Sequence, residues 1–445
     1  MNNLSLQNSL SKEIFNATQK FNSAISIPQQ RNLRELIRGM TIAESSYLGE
    51  IGNVSASEIN KRKNTERLSN TLSKIDPEKF HIRHISSKAL SYRNEPVLLF
   101  ADGGDIQKPY AKKMEKVCKN VDGSKGHRTG KGYPIFSVAA YGLHSKKLHP
   151  LAQHLWSTKE EEFKSEWCEY QKVFFWLSDF VQSSPYDRIV IEDRGGDDEK
   201  RFLYYTKKLH SSFITRVCLG VKSRKVIIEN DHKEQENVSI QELSKRIKEE
   251  ASSPRRWKNK KVKKTLISKI AFKKVFFPSR KNIPLYAIFC YSEGYADPLV
   301  VLTDLQVKDA NIAWKYFFYY KKRWEIENFF RAEKQNLKAE KFLIRDFNKI
   351  KALTFLFMFV ISFLAELRQK IQSFLGNLYL LFQDFCRKEQ RSGEHKYLDI
   401  LAFLKDSLQG VYRERSTRFC SQYISKHRSK TRQSRLRLFD LRKNW

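Results

Sequence analysis

Four side chains in one short stretch have the types and the spacing of a phosphate-handling site. Residues 320–334 read YKKRWEIENFFRAEK, in which Tyr320, Arg323, Glu327 and Lys334 follow the pattern Y-x2-R-x3-E-x6-K. On one continuous α-helix, at about 100° per residue, these side chains fall within an arc of about 60°. A carboxylate can bind a divalent metal, while an arginine, a lysine and a phenol can bind phosphate oxygens. The stretch therefore indicates a metal-dependent site that acts on a phosphate backbone.

A solvated amphipathic helix is the alternative interpretation, since most charged stripes are of that kind. That alternative does not explain why one acid and one tyrosine share a face with two bases. Ile326, Phe330 and Leu337 also form a separate apolar face, at roughly 240° to 280° from Tyr320. The helix thus has its own buried side beside the polar stripe, which favours the chemical interpretation.

Two aspartates upstream follow apolar segments that are typical of buried strands. The segment VLLFA predicts a strand over 97–101 with Asp102 directly after it, and RIVIE predicts a strand over 188–192 followed by Asp193. An acid just past a strand end is held rigidly and faces a cleft, as a metal site requires. These two acids therefore extend the candidate site.

Three other aspartates compete for the same two roles. Asp105 lies in the stretch DIQKP, and we favour Asp102 because it is nearer to the predicted strand end. Asp197 and Asp198 compete with Asp193, but they lie at the start of a predicted helix, where acids interact favourably with the helix dipole. Any single aspartate is equally well explained as a turn residue or a helix cap. Three acids in this order favour a common site.

The acids and the 320–334 pattern together resemble the signature of one class of bacterial insertion-sequence transposases, the Tyr-Arg-Glu-Lys class of DDE enzymes. The resemblance implies a ribonuclease H-like core in which Asp102, Asp193 and Glu327 bind two Mg²⁺ ions, for which Mn²⁺ can substitute. It implies in-line attack on phosphorus by a water or a 3′-OH. It also implies DNA contacts by these side chains: Tyr320, Arg323, Lys334, Lys108, Arg194 and Arg331.

A transposase of this class would bind the inverted-repeat ends of a mobile element, cut them and join them to target DNA. The resemblance implies a homodimer on paired ends. Relatives that form a DNA hairpin carry a tryptophan where this chain has Leu299, and Trp257, Trp314 and Trp324 are the candidates to replace it.

Two other functional classes remain as alternatives. The first is a catalytically inactive, basic DNA-binding protein on the same scaffold, which the intact set of acids argues against. The second is a recombinase that attacks DNA through Tyr320. Such enzymes need an Arg/His cluster and a tyrosine near the C-terminus, whereas Tyr320 lies beside a carboxylate of the metal-binding type.

The composition agrees with a polyanionic partner. The chain has 83 Lys and Arg against 49 Asp and Glu, a formal net charge of +34, and these bases are spread along its whole length. One local cluster contains Arg255, Arg256 and Trp257, and another covers 413–443. We expect DNA contacts from both clusters.

Several features predict a bacterial cytoplasmic protein at the nucleoid and no membrane partner. The N-terminus is polar, and the longest apolar run, 353–365, is shorter than the about 20 residues that a bilayer requires. Six cysteines without a C-x-x-C pair indicate free thiols in a reducing compartment rather than a zinc site.

The predicted fold class is mixed α/β, with a ribonuclease H-like catalytic core. Strands over 97–101, 132–145 and 148–157 predict an antiparallel meander. After it we expect a helix from Ser157 to about 181, the strand over 188–192, a helix over 198–209 and a strand over 213–219. The predicted N-terminal domain, at 1–90, is helical and binds DNA, with helices within 32–49 and at 61–72. The predicted catalytic core covers 95–219 and 306–385 and is interrupted by a β-rich insertion at 220–305. A basic, helical C-terminal region at 386–445 is predicted to bind DNA or to form a dimer.

We predict that Asp102→Asn, Asp193→Asn and Glu327→Gln each abolish DNA cleavage and retain DNA binding. Metal coordination needs each carboxylate, whereas binding depends on many dispersed bases. Cleavage assays and gel-shift titrations of the same preparations measure the two effects separately. Near-normal cleavage by the Asp102 variant would transfer the role of the first acid to Asp105.

Overall fold

The computed structural model describes residues 3–54, 60–122, 128–220, 223–229, 234–259 and 264–369. The chain divides into two compact units. The first comprises Met1–Thr71, Lys334–Leu343 and Phe363–Trp445, and the second comprises Leu72–Glu333 and Ile344–Ser362. The predicted C-terminal region at 386–445 lies outside the described residues, as does its basic cluster at 413–443.

Helices dominate the described N-terminal part of the first unit: α1 (Asn3–Thr18), α2 (Ile27–Ala43), α3 (Leu48–Asn53) and α4 (Lys61–Leu72). The predicted helix over 61–72 is confirmed, and the two helices predicted within 32–49 correspond to α2 and α3. The backbone N–H of Ser26 donates to Gln29 Oε1 at 2.9 Å at the start of α2. The buried side of α2 repeats at helical spacing, through Leu33, Leu36, Ile37 and Met40.

The second unit contains a twelve-stranded sheet within the described residues. Its strands are β1 (Val97–Gln107), β2 (Cys118–Asp122), β3 (Arg128–Gly142), β4 (Leu148–Leu155), β5 (Arg188–Glu192), β6 (Ser212–Arg216), β7 (Lys225–Glu229), β8 (Gln235–Ser239), β9 (Ser252–Asn259), β10 (Lys264–Phe277), β11 (Arg280–Ser292) and β12 (Leu299–Thr303). Their order is β2-β3-β1-β5-β6-β12-β11-β10-β7-β8, with β4 also paired to β3 and β9 to β10.

The strands β1, β3 and β4 form the predicted antiparallel meander, and β5 and β6 run parallel to β1. All five residues of β5 and the first five of β1 are buried. Continuous apolar runs of this kind suit strands that are covered on both faces. The chain is therefore of the mixed α/β class, as predicted.

The end of β1 differs from the prediction. The strand continues to Gln107, so Asp102 lies inside it, opposite Ser137 of β3. The parallel pairing of β1 with β5 ends at Phe100 and Ile191, and beyond that point β1 pairs with β3 through Gln107. The apolar run stops at Ala101 because β1 loses its β5 neighbour there, although its ladder with β3 continues.

The helix predicted from Ser157 is wrong in its start. The helix α6 covers Glu166–Trp176, and the short helix α7 covers Ser178–Gln182. The cap is Ser165, whose Oγ accepts a hydrogen bond from the Cys168 N–H at 3.2 Å. Ser157 instead begins a turn, in which its own N–H donates to Glu160 Oε2 at 2.9 Å.

The described residues between 220 and 305 form the strands β7 to β12, which belong to the same sheet as β1, β5 and β6. The last of these strands, β12, pairs antiparallel with β6, and a short helix, α9 (Ile240–Arg246), lies between β8 and β9. Before β7, α8 (Glu199–Tyr204) and a π-helical turn (Tyr205–Leu209) match the helix predicted over 198–209. The strand β6 ends at Arg216, three residues earlier than predicted.

The stretch with the Y-x2-R-x3-E-x6-K pattern is not one continuous helix. The helix α10 covers Ala310–Lys322 and α11 covers Trp324–Arg331, with Arg323 at the break between them. A π-helical turn, Ala332–Asn336, follows α11. The arc calculated for a single helix therefore does not apply from Tyr320 to Lys334.

A long apolar helix, α12 (Phe347–Gln369), follows. Its stretch Phe347–Leu367 is long and apolar enough to cross a membrane, but 89% of its most apolar window is buried in the protein, which is compatible with a soluble protein. Phe355 packs edge-on against Phe80 of α5 (Pro77–Ala89), with ring centroids 5.5 Å apart. Thus α5, which the sequence placed with the N-terminal helices, belongs to the core of the second unit.

We predict that Gly132→Ala destabilises the second unit. A Cβ at Gly132 would lie 2.1 Å from the backbone oxygen of Ile106, so the β1–β3 ladder would have to shift, at about 1–3 kcal/mol. The matched control is Gly195→Ala, because no atom lies within 4 Å of the added Cβ. Urea unfolding of both variants measures the difference, and equal midpoints would contradict the tight packing of β1 on β3.

Candidate active site

Three carboxylates of the second unit converge on one guanidinium. Arg323 Nη1 donates to Asp102 Oδ2 at 2.7 Å, and Nη2 lies 3.2 Å from Glu327 Oε1 and 3.5 Å from Asp193 Oδ2. The Arg323 side chain is only 7% exposed, while the three acids are 25–35% exposed. The structure therefore brings the three predicted acids together in a partly buried cluster.

Each acid is held by a different element. Asp102 lies on β1, at the point where the strand loses its β5 neighbour. Asp193 follows β5 and caps a short 3-10 turn, where its Oδ1 accepts from the Arg194 N–H at 2.7 Å. Glu327 lies in the first turn of α11. Because β1 and β5 are parallel, the two aspartates emerge at the same edge of the sheet, where α/β proteins commonly bind ligands.

The alternation of β1 distinguishes Asp102 from Asp105. Residues three apart on a strand point to opposite faces. A Cβ at Gly104, on the face of Asp102, would lie 3.4 Å from Phe330 of α11, whereas a Cβ at Gly103 would lie 3.3 Å from the Tyr170 hydroxyl of α6. Asp105 thus shares the α6 face and accepts a hydrogen bond from Gln107. Its carboxylate is directed away from α11, which carries Glu327.

The other two competing aspartates have structural partners. Asp197 forms an ion pair with Arg224, with Nε and Oδ1 2.8 Å apart. Asp198 caps α8 and accepts from the Lys200 N–H at 2.9 Å. These contacts explain both acids without a role in the cluster.

Burial and like charges disturb the protonation of the cluster. Burial raises the pKa of Asp102 to about 7; Arg323 opposes the rise, and the carboxylates of Asp193 and Glu327 add to it. Burial alone would lower the pKa of Arg323, but the surrounding carboxylates outweigh it and raise that pKa. One guanidinium therefore does not compensate three neighbouring acids.

The residues predicted to bind phosphates, Tyr320, Arg323 and Lys334, have different contacts in the structure. The Tyr320 hydroxyl donates to Asp193 Oδ1 at 3.2 Å, and burial, with a contribution from Asp193, raises its pKa to about 12. Tyr320 and Arg323 thus join the acids in one cluster. Lys334 lies in the π-helical turn and belongs to the first unit, where its Nζ is 3.3 Å from Glu340 Oε1. The role of Lys334 in DNA binding stays a prediction.

Among the residues predicted to contact DNA, Lys108 is the one whose prediction the structure corrects. It directly follows β1 and is only 6% exposed, so its side chain is not a surface contact for DNA. Arg194, Arg331 and Arg256 are exposed. Arg255 is partly buried and donates to Asn311 Oδ1 at 3.0 Å.

The candidate tryptophans differ in exposure. Trp314 is fully buried, and its Nε1 donates to the Ser253 carbonyl oxygen at 2.8 Å, so it cannot stack on a base. Trp324 is 45% exposed and follows Arg323 directly. Trp257 lies on β9, and its side chain is outside the described residues.

The three carboxylates have the donor chemistry for a hard divalent cation, but the distances between them are set by their contacts with Arg323. Carboxylate oxygens are the ligands that Mg²⁺ and Mn²⁺ prefer. Burial is the main cause of the raised pKa of Asp102, and the carboxylates of Asp193 and Glu327 add to it. Across the described ranges, no three His, Cys, Asp or Glu side chains stand at a metal-holding spacing. The guanidinium contacts the oxygens that such an ion would use.

Sequence reasoning missed a buried charge network directly behind Asp193. Glu192 is 3% exposed, and it accepts hydrogen bonds from Arg201 Nη1 at 2.8 Å and from the Tyr205 hydroxyl. The Arg201 guanidinium also lies over the rings of Trp167 and Tyr170. The signal was present in RIVIED, because a glutamate at an inward position of an apolar strand requires a buried partner.

A further contact fixes Asp193 from the neighbouring strand. Arg216, at the end of β6, places Nη1 3.8 Å from Asp193 Oδ1. With the Glu192 network behind it and Tyr320 beside it, the carboxylate of Asp193 is constrained from three directions.

We predict that Arg201→Gln destabilises the protein by about 3–5 kcal/mol at pH 8, since it leaves Glu192 charged and buried without its cation. Burial already raises the pKa of Glu192 above its ordinary 4.5, so ionisation of this carboxyl opposes folding at high pH. Below pH 4.5 the carboxyl is neutral in both the folded and unfolded states, and the effect should shrink.

Urea unfolding at pH 8 and at about pH 3.5, one unit below the ordinary pKa, measures this difference. Arg246→Gln, which breaks an exposed pair with Glu236, is the control and should change stability little at either pH. An equal loss for Arg201→Gln at both pH values would assign the effect to the lost packing over Trp167 and Tyr170.

Comparisons with known proteins give no family for the chain. No protein-family model matches it, and no curated protein matches it. The functional assignment is therefore based on the acid cluster around Arg323, on the strand order that positions it, and on the charge of the chain.

Proposed function

We propose that the protein is a DDE-type transposase that cleaves and joins DNA at the ends of a mobile element. The observation that carries the proposal is the convergence of Asp102, Asp193 and Glu327, from β1, the end of β5 and α11, on one guanidinium. Three acids from separate elements, at the carboxyl edge of two parallel strands, suit a reaction centre better than a structural ion pair.

The topology around the acids supports a ribonuclease H-like core. The meander β1, β3, β4 and the parallel strands β5 and β6 give the partial order β4-β3-β1-β5-β6. The resemblance of the sequence to DDE enzymes implied three strands, a helix and a fourth strand along the chain, with the first acid after the first strand and the second after the fourth. The extra strand β2 and the strands from β7 onward surround this arrangement.

Charge supports DNA as the substrate. A net charge of +34 favours a polyanionic partner, and Arg194 and Arg331, close in sequence to Asp193 and Glu327, are exposed. Arg256, on β9, is also exposed.

In the proposed reaction, the three carboxylates hold divalent cations and Arg323 binds a phosphate oxygen near the cleaved bond. The bound cations would activate a water or a 3′-OH and stabilise the leaving oxygen. Asp193 is kept in place by Tyr320, Arg216 and the turn at Arg194. Attack by Tyr320 itself is disfavoured, because its phenol is buried, donates to Asp193 and has a pKa of about 12.

One observation favours a second candidate, a catalytically inactive DNA-binding protein. The guanidinium of Arg323 contacts all three acids, and an arginine in that place could replace a metal permanently. This candidate retains the basic surface and predicts DNA binding without chemistry.

Cleavage of DNA that carries the terminal inverted repeats tests the proposal. The repeats should be found in the DNA flanking the coding region. We expect nicking with Mg²⁺ or Mn²⁺, and none in EDTA or with Glu327→Gln. Tight end binding without cleavage in either metal would contradict the transposase and favour the binding protein.

We predict that Arg323→Ala slows single-turnover cleavage far more than it weakens DNA binding. The side chain makes one or two of many phosphate contacts, worth about 1–3 kcal/mol, but it is the base closest to the acids. Arg331→Ala is the comparison, since it removes an exposed base one helical turn beyond Glu327. Complete loss of DNA binding by a folded Arg323→Ala protein would make Arg323 a binding determinant instead.

A further inference from the structure

We infer that Arg323 is an exchangeable counter-ion that keeps divalent metal off the three acids until a DNA phosphate takes the guanidinium. The inference rests on the proposed function and adds regulation to its site. It makes metal binding and DNA binding mutually dependent, so that the acids are loaded only when substrate is present.

Both terminal nitrogens of the guanidinium contact the acids. Nη1 is bound to Asp102, and Nη2 faces both Glu327 and Asp193. The same two nitrogens form the fork that binds phosphate oxygens in a bidentate manner. Arg323 therefore cannot grip a phosphate through both nitrogens without releasing carboxylate oxygens.

The carboxylate oxygens are occupied in turn. At Asp193, Oδ1 accepts from Tyr320 at 3.2 Å and from the Arg194 N–H at 2.7 Å, while Oδ2 faces Arg323. At Asp102 the oxygen that faces the guanidinium is 2.7 Å from Nη1. A divalent cation would need these oxygens and would be repelled by the positive charge among them. Metal and guanidinium therefore compete for one place.

A phosphate changes this competition in favour of the metal. When a phosphodiester binds Arg323, three carboxylates lose their common cation and repel one another. A divalent cation then compensates the negative charge of the carboxylates, with twice the positive charge of the guanidinium. By linkage, whatever factor DNA adds to metal affinity, metal must add to DNA affinity.

Direct binding of Mn²⁺, followed by the EPR signal of the free ion, tests the inference without a cleavage assay. In the absence of DNA, Arg323→Gln should bind Mn²⁺ at least tenfold more tightly than the unmodified protein. Arg323→Lys keeps the charge but loses the fork, and should lie between the two. Arg246→Gln removes an equal charge from an exposed side chain that pairs with Glu236, and should alter Mn²⁺ affinity less than twofold.

Duplex DNA provides the second half of the test, with the Mn²⁺ bound by DNA alone subtracted. It should tighten Mn²⁺ binding to the unmodified protein by at least fivefold and leave Arg323→Gln nearly unchanged. Asp102→Asn combined with Asp193→Asn should remove the Mn²⁺ site and so locate it. Thermal unfolding of each variant verifies that it is folded.

Equal Mn²⁺ affinities for Arg323→Gln and the unmodified protein would overturn the inference, as would equal tightening by DNA in both. Tighter binding by Arg323→Gln in a protein that never cleaves DNA would uphold the exchange and refute the transposase. Failure of every variant to bind Mn²⁺ at the acids would refute both.

Discussion

The contact between Arg323 and three carboxylates is the interaction on which the rest of the site depends. Three acids at 25–35% exposure cannot lie together uncompensated, and one guanidinium is the cation that joins them. The arrangement needs Arg323 to be placed between the acids rather than along one helix face. The break between α10 and α11 does this, because it falls at Arg323 and begins a new helix whose first turn carries Glu327.

The sheet supplies the other two acids through a local loss of pairing. The strands β1 and β5 are paired as far as Phe100 and Ile191, so Asp102 and Asp193 lie just beyond the end of this pairing. Directly before Asp193, Glu192 forms a buried pair with Arg201. The site is thus held by backbone pairing on one side and by buried charge on the other, with the Arg323 guanidinium between the three acids.

The apolar runs of the sequence were sufficient to predict β1, β5 and the meander, because strands covered on both faces have a continuous apolar pattern. Asp102 and Asp193 were predicted from their places after those runs, and Glu327 from its spacing to Tyr320, Arg323 and Lys334. The end of β1 could not be predicted, since pairing with β3 continues where the apolar pattern stops. The helix start at Ser165 rather than Ser157 was equally hidden, because both serines can cap and the choice depends on contacts such as Glu160 with Lys351.

The contacts of individual side chains also could not be predicted from the sequence. The burial of Lys108 and the pairing of Lys334 with Glu340 depend on tertiary contacts that a helical or strand pattern does not carry. The role of Arg323 was predicted as a phosphate ligand, and its contact with all three acids became visible only when β1, β5 and α11 were placed together.

Metal rescue of cysteine substitutions tests the central claim most directly, that Asp102, Asp193 and Glu327 bind the divalent metal of a DNA-cleaving reaction. A thiolate is a poor ligand for Mg²⁺ and a better one for Mn²⁺ or a softer ion. Asp102→Cys, Asp193→Cys and Glu327→Cys should each be inactive on end DNA in Mg²⁺ and should regain cleavage in Mn²⁺. If no metal restores cleavage to any of the three, or if Mg²⁺ supports them as well as Mn²⁺ does, the acids are not the metal ligands and the account is wrong.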